Sequence, residues 1–337
     1  MRILLTGATG FVGHHVAHAL AAQGAQLRML VRKTSNLANL KGIAGDIFVG
    51  DLAQPESLQS GLAGCDAVVH VAADYRLWIP DPQSMYRANV DGTRELLRMA
   101  REAGVKRFVY TSSVATMHFR EDGLVINEDT PVSIGDMVGH YKRSKFLAEQ
   151  EAIAAAKKGQ KVVILNPTTP IGPCDAKPTP TGRIFVDFLN RKFPAYVDTG
   201  LNLVDVAEVA RMHVTALTAG SFGRRYILGG ENLTLKQILD KMSAITQIPS
   251  PTVKIPFAVA ATYAFFEEWI TGRIRGREPR ATLEEVRMGR KKMFASSARA
   301  QQELGFRILP VYPAMRAAID WFRDHGYAPP AGEPTRA

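Results

Sequence analysis

Short apolar runs alternate with amphipathic stretches through the first half of the chain. Arg2-Ile3-Leu4-Leu5-Thr6 reads as a strand, His14–Gln23 as a helix and Gln26–Arg32 as a second strand. Strand Asp46–Gly50, helix Pro55–Leu62, strand Ala67–Val71, a long helix over about Pro82–Ala103 and strand Arg107–Thr111 follow. A further helix opens at Gly139-His140-Tyr141 and continues through Phe146–Ala152, ahead of a strand over Lys161–Leu165. Repeated β-α units with apolar strands predict a parallel, doubly wound sheet of the α/β class. Ligands of such a sheet belong at the carboxyl ends of its strands.

Past Pro170 the alternation breaks up. Residues 171–203 are rich in Pro, Thr and Gly, as expected of a loop folding over a substrate. Helix Asp205–Leu217, strand Arg225–Leu228, helix Leu235–Thr246 and a closing helix over Tyr312–Asp324 are predicted beyond it, with Ala328–Ala337 as a frayed tail. Between them Pro256–Thr271 is unusually apolar, with Phe257, Val259, Tyr263, Phe265, Phe266, Trp269 and Ile270. A buried helix of a smaller domain is the expectation there; an interfacial helix docking on a membrane is the functional alternative. The chain divides into a first unit over 1–170, with a returning contribution from about 200–230, a second over 171–330 and a tail over 331–337.

The turn after the first strand is Thr6-Gly7-Ala8-Thr9-Gly10-Phe11-Val12-Gly13. Set between strand and helix, its glycines fit a dinucleotide fingerprint: Gly7 for the tight turn, Gly10 for approach of a pyrophosphate, Gly13 for helix packing. The pyrophosphate would lie at the helix N-terminus, where free N–H groups and the macrodipole favour anions. The second strand ends Val31-Arg32-Lys33-Thr34-Ser35, with no acid for ribose hydroxyls. Arg32, with Lys33 or Ser35, suits the extra phosphate of NADP(H); stacking of Arg32 on the adenine of NAD(H) is the alternative. Asp51 at a strand end can accept from an adenine amine, and Ala72-Ala73 are small enough for a cofactor to lie across them.

Tyr141 and Lys145 fall four apart on a helix and therefore share one face. A phenol ordinarily loses its proton near pH ~10, and a neighbouring ammonium is expected to draw that value down toward the range of general acid–base work. Ser112 or Ser113, at the end of the strand over 107–111, lands on the same edge. Its hydroxyl could hold a substrate oxygen while the phenol handles the proton.

Composition narrows the setting. Hydrophobic content of 46% and charged content of 22% are those of an ordinary globular protein. Cys65 and Cys174 have neither metal-ligand spacing nor a disulfide framework, so no metal is expected. Met1 leads straight into a strand, and no apolar stretch approaches the ~20 residues of a membrane span. The expectation is a cytoplasmic protein, at most peripheral to the inner face of a membrane. The net charge is +10, and Thr271–Ala300 holds nine Lys/Arg against three Glu. That stretch is a solvated face or a contact for anionic lipid. Without a DNA-binding motif or interleaved aromatics, nucleic acid is not an expected partner.

Thr6–Gly13, Asp51-Leu52, Ala72-Ala73, Asn89, Thr111-Ser112-Ser113, Tyr141–Lys145 and the Pro167 loop together resemble the extended short-chain dehydrogenase/reductases. Within them the chain is similar to the dihydroflavonol-reductase-like branch. More narrowly it resembles the hopanoid-associated sugar epimerases, through Val71–Trp78, Gly139–Lys145, Lys177–Arg183, Pro194–Asn202 and Leu228–Thr234. The likeness implies a Rossmann-type sheet with a smaller, mostly helical C-terminal substrate domain, and a homodimer. It makes Tyr141 the catalytic acid/base, has Lys145 hold the nicotinamide ribose and tune Tyr141, has Ser113 orient the substrate and has Asn89 support the site. It also assigns Thr9, Phe11, Val12, Leu52, Thr111, Pro167 and Thr168 to the cofactor, and Tyr75, Asn166, Thr181 and Tyr196 to the substrate. Asn166 departs from the pattern, since many sugar-nucleotide members carry arginine before the proline.

The activity so implied is an NAD(P)-dependent sugar epimerase or oxidoreductase, acting on a sugar, polyol or lipid-linked substrate in hopanoid synthesis. An NADPH-dependent ketone reductase is the alternative, and a non-catalytic NADP-binding scaffold the rival of another class. If the cofactor returns to its starting redox state the net reaction is epimerisation; if it leaves oxidised, reduction. No residue decides between them.

Overall fold

The structure, a computed structural model, describes residues 1–330 apart from 77, 80, 120–121 and 275–281. Its strands are β1 (Arg2–Thr6), β2 (Gln26–Val31), β3 (Asp46–Val49), β4 (Ala67–His70), β5 (Arg107–Thr111), β6 (Val162–Pro167), β7 (Thr169–Ile171), β8 (Gly200–Asp205), β9 (Arg225–Leu228) and β10 (Glu231–Thr234). Helices are α1 (Phe11–Ala22), α2 (Gln59–Leu62), α3 (Pro82–Tyr86), α4 (Gly92–Glu102), α5 (Gly139–Lys157), α6 (Pro180–Leu189), α7 (Val206–Thr215), α8 (Leu235–Thr246), α9 (Phe257–Glu267), α10 (Leu283–Gly289), α11 (Ala298–Leu304) and α12 (Val311–Asp324).

Seven strands form one parallel sheet in the order β3-β2-β1-β4-β5-β6-β9. Successive strand residues face opposite sides, and both sides are covered, which is why the strands read as continuous apolar runs. Ile3, Leu5, Val69, Val109 and Val163 pack with Val16 and Leu20 of α1 and Val209 and Met212 of α7. Leu4, Val68, Phe108, Tyr110 and Ile164 pack on the other side with Leu96 of α4 and Ala148 and Ala152 of α5. The order reverses between β1 and β4, so a crevice opens beyond their carboxyl ends. A small sheet, β10-β8-β7, joins α6, α8 and α12 around a second core that includes Phe185, Phe188, Leu239, Met315 and Phe322.

Four expectations change. The long helix over 82–103 is α3 and α4 joined by one wider π turn, Arg87–Asp91. That extra residue per turn brings Asn89 into the interior. The loop over 171–203 contains α6, started by Thr179, whose side chain accepts from the Gly182 N–H, with Pro180 in the first turn. The helix over 55–62 opens as a tighter 3₁₀ turn at Pro55–Leu58. Finally, α9 is not buried: Ala264 is its one buried residue, and Tyr263, Phe265, Phe266 and, just past its end, Trp269 are each about half exposed. The tail over 331–337 and residues 275–281 of the basic stretch lie outside the described residues.

Candidate active site

The glycine turn is built by close backbone approaches. Gly7 has φ +78°, and a Cβ on it would lie 2.6 Å from the Ala72 nitrogen. A Cβ on Gly13 would lie 2.0 Å from the Gly7 carbonyl oxygen, so the helix sits directly on the turn. Gly10 precedes α1 with no side chain capping the first turn, which leaves the N–H groups around Phe11, Val12 and Gly13 facing the crevice. This cradle fits a pyrophosphate. The Asn39 side chain holds the turn through the Thr9 carbonyl at 3.2 Å.

Around the crevice, the Ala72 N–H donates to Thr6 Oγ1 at 3.1 Å, with Ala73 next in line. Asp51 accepts from the Ala53 N–H at 2.9 Å and Leu52 is buried. Arg32 and Lys33 are exposed just past the end of β2, and the Arg32 N–H donates to Ser35 Oγ at 3.0 Å. No acid stands at that strand end, so a cationic rim faces any group placed there.

Tyr141 and Lys145 lie in the first two turns of α5, beside the carboxyl end of β5. Ser113 starts a 3₁₀ turn, accepting from the Ala115 N–H at 3.1 Å, and its hydroxyl lies near enough to the Tyr141 phenol to lower that phenol's pKa. Ser112 points elsewhere: its hydroxyl is buried without a partner among the described residues. Lys145 is buried, and burial brings its pKa down to about 8. Its ammonium donates to the Thr111 carbonyl at 2.9 Å and to Tyr110 Oη at 3.2 Å. The expectation that Lys145 draws the Tyr141 pKa down is not met. Burial dominates and raises it, and Ser113 offsets this only in part, so the phenol is protonated at neutral pH. Such a phenol is an acid, able to donate to a carbonyl or alkoxide oxygen.

Asn89 supports the site from behind. Its side chain accepts from the Asp74 N–H at 2.7 Å and donates to the Asp74 carbonyl at 2.8 Å and to Ser144 Oγ at 3.0 Å. It therefore pins the segment after β4 to α5.

Near Tyr141, Tyr75 donates to the Lys177 carbonyl at 3.3 Å and interacts electrostatically with Asp175, Asp74, Arg183 and Tyr141. Burial and the two carboxylates push its phenol up to about 12. Asp175 is buried and accepts from Thr179, and burial raises its pKa to about 6. Sequence reasoning missed Asp175; its one signal was an acid four residues before a Thr-Pro helix start.

Other assigned residues turn inward. Asn166 is fully buried, donating to Glu149 Oε2 at 2.6 Å and to the Ser113 carbonyl at 3.1 Å. It braces the end of β6 against α5 and against the segment after β5. Arginine there would have to enter this closed cluster. Thr168, next to Pro167, is buried and donates to Asn202 Oδ1 at 2.8 Å. Thr181 is buried in the first turn of α6, and Tyr196 packs against the second core while its backbone pairs with Val253 and Ile255.

Fold and site together define a nicotinamide-nucleotide enzyme of the extended short-chain dehydrogenase/reductase class, an oxidoreductase or epimerase. The chain belongs to the NAD dependent epimerase/dehydratase family, which matches residues 3–229 and acts on small molecules. It is 45% identical over 327 residues to a Synechocystis sp. protein named provisionally as dihydroflavonol 4-reductase, covering 96% of this chain and 95% of that one. It is 33% identical to sterol demethylase protein B of Methylococcus capsulatus, covering 97% and 99%. The crystal structure of gox2253 superposes with a TM-score of 0.86 at 46% identity, covering 97% of this chain and 99% of that one. Among the described residues, no helix is long and apolar enough to cross a membrane.

Proposed function

We propose that this protein moves hydride between a nicotinamide and a secondary alcohol or ketone carbon of a sugar or polyol, with Tyr141 moving the hydroxyl proton. The bound nucleotide supplies or accepts the hydride. Ser113 Oγ holds the substrate oxygen beside the phenol, Lys145 anchors the nicotinamide ribose, and Tyr75 with Asp175 lines the substrate side. The nearness of the Ser113 hydroxyl to the Tyr141 phenol, beside the carboxyl edge that carries the glycine turn, is the observation that supports this most directly. A scaffold without catalysis has no use for that pair. In this reading residues 1–170 with 200–230 serve the nucleotide and 171–330 the substrate, and two copies pair through α4 and α5.

NADP(H) is the preferred cofactor in this reading, because Arg32 and Lys33 rim the end of β2. Arg32→Ala should weaken NADPH binding roughly ten- to a hundredfold, the worth of about 1.5–3 kcal/mol for a charged hydrogen bond, with little effect on NADH. Equal losses would contradict the assignment. The substrate is linked to a hopanoid lipid; the sterol in the name of the Methylococcus capsulatus relative is also a polycyclic lipid. Reduction of a ketone is the second reading, favoured by the reductase name of the Synechocystis relative.

Contact with the inner face of a membrane is part of the same proposal. Tyr263, Phe265, Phe266 and Trp269 form an exposed aromatic face. At its base, Lys254, Arg290 and Lys292 line a cavity of about 390 Å³ with Asp122 and Asp198, three cations against two carboxylates. Aromatics flanked by cations suit an anionic bilayer surface. Failure to co-sediment with phosphatidylglycerol vesicles at low salt would remove this part alone.

The first experiment is to purify the protein without added cofactor and identify the nucleotide released on denaturation. A near-stoichiometric nucleotide supports recycling in place, hence epimerisation. An empty protein that binds and releases NADPH freely supports reduction. Failure to bind either nicotinamide nucleotide would overturn both.

A further inference from the structure

Behind Lys145 runs a buried row of polar side chains that ends at the glycine turn. The Lys145 ammonium donates to Tyr110 Oη, and the Tyr110 phenol lies beside Thr93 and against the His70 ring, with ring centroids 5.6 Å apart. Thr93 Oγ1 gives its single proton to the Asn89 carbonyl at 2.6 Å, so it accepts from its other partner, His70 Nε2, at 3.0 Å. His70 therefore carries its proton on Nε2. Burial, with Lys145 nearby, pushes its pKa down to about 3 and keeps the ring neutral, leaving Nδ1 to accept from Thr6 Oγ1 at 2.7 Å. Thr6 Oγ1 in turn accepts the Ala72 N–H. His70 thus accepts from Thr6 and donates to Thr93. Thr6 precedes Gly7, and Ala72 is the residue on which Gly7 closes.

We propose that Tyr110, Thr93 and His70 are positioning residues that aim the Lys145 ammonium and tie its placement to the nucleotide turn. This rests on the reading of Tyr141 and Lys145 as the catalytic pair. An ammonium has three N–H donors; Tyr110 and Thr111 take two, and one is left for the cleft. The titratable groups around Lys145 are Tyr141 and Glu149, one turn to either side on α5, Tyr110 from β5 and His70 from β4. Loss of the Tyr110 oxygen frees the lysine to swing and removes an acceptor that favours its charged form.

The test is NADPH binding, read by its fluorescence from about pH 6.5 to about pH 9.5, with melting temperatures alongside. Lys145 has a folded pKa of about 8, so binding that needs its charge weakens as pH rises through that value. Tyr110→Phe and Thr93→Val should move that break down by about one pH unit, roughly a tenfold loss at fixed pH near the break. Thr93→Ser, which keeps the hydroxyl, should follow the unaltered protein. If Lys145→Met weakens binding while Tyr110→Phe and Thr93→Val leave the break in place, the row is packing only and the proposal falls. If Lys145→Met binds like the unaltered protein, the catalytic reading beneath it falls instead. Independently of any variant's folding, nitrogen-15 NMR of labelled histidines should show His70 as the Nε2–H tautomer from about pH 5 to about pH 8. An Nδ1–H tautomer would overturn the direction of the row.

Discussion

Helix α5 begins Gly139-His140-Tyr141-Lys142-Arg143-Ser144-Lys145, while α9 reads Phe257-Ala258-Val259-Ala260-Ala261-Thr262-Tyr263-Ala264-Phe265-Phe266-Glu267. By composition alone α9 belongs inside and α5 outside. The structure reverses this: α5 buries Ser144, Lys145 and Glu149 against the sheet, and α9 buries one alanine. A buried charge is tolerated when every neighbour answers it. Lys145 has Tyr110 and Thr111, and Glu149 has Thr116, Asn166 and Arg225. An exposed aromatic face is retained where another surface is to cover it. Both helices depart from the usual burial rule, α5 by burying charge and α9 by exposing aromatic rings.

The comparison breaks most sharply at Tyr141. Tyr141→Phe keeps the ring and removes the proton donor, so turnover should fall about a thousandfold, the range of a lost general acid, while NADPH binding stays within about twofold. Unchanged turnover would return α5 to an ordinary helix. Next in size is Glu149→Ala, which leaves Arg225 and Asn166 facing a hole. Denaturant unfolding should show a loss of about 3–5 kcal/mol, as for a buried pair deprived of one partner. A loss under about 1 kcal/mol would mean the cluster is water-accessible and not buried in the sense argued.

Acid should reach the buried polar side before the exposed apolar one. His70 and His213 have pKa values lowered by burial to about 3 and about 4. Unfolded histidine takes up its proton near pH ~6.5, so the stability these residues contribute is complete above that value and is lost as pH falls toward their folded values. Each should remove up to about 1.4 kcal/mol per pH unit, seen as a falling melting temperature between about pH 6 and about pH 4. A flat profile there would contradict the burial of both rings. The smallest effect on stability belongs to α9. Replacing Phe265, Phe266 and Trp269 together with Ser should change unfolding free energy by no more than about 0.5 kcal/mol each, yet abolish sedimentation with anionic vesicles. A large loss of stability would mean that the face is covered within the folded chain.

Much of this was legible in the chain. The succession of apolar strands, the glycine turn and the shared face of Tyr141 and Lys145 were all readable, because each rests on local spacing: two for strands, four for a helix face, three for the glycines. What escaped reading depends on contacts far apart in sequence. Asn166, assigned to a substrate, is turned inward by Glu149 and Ser113, which come from α5 and the end of β5. Asp175 gave almost no signal, since its burial is set by Thr179 and by the absence of a side chain on Gly182, where a Cβ would lie 2.1 Å from its carboxylate. The direction of the Tyr141 shift was misjudged because an ammonium one turn away was weighed without the cost of burying the phenol.

The sequence by itself determined the parallel sheet, the glycine turn and the shared helix face of Tyr141 and Lys145, since these follow from short-range periodicity and from residue chemistry. Only the tertiary structure decided which face of each helix is covered. Burial is a property of what packs against a side chain, and for Lys145, Asn166 and Phe265 those neighbours, or their absence, come from folding the whole chain.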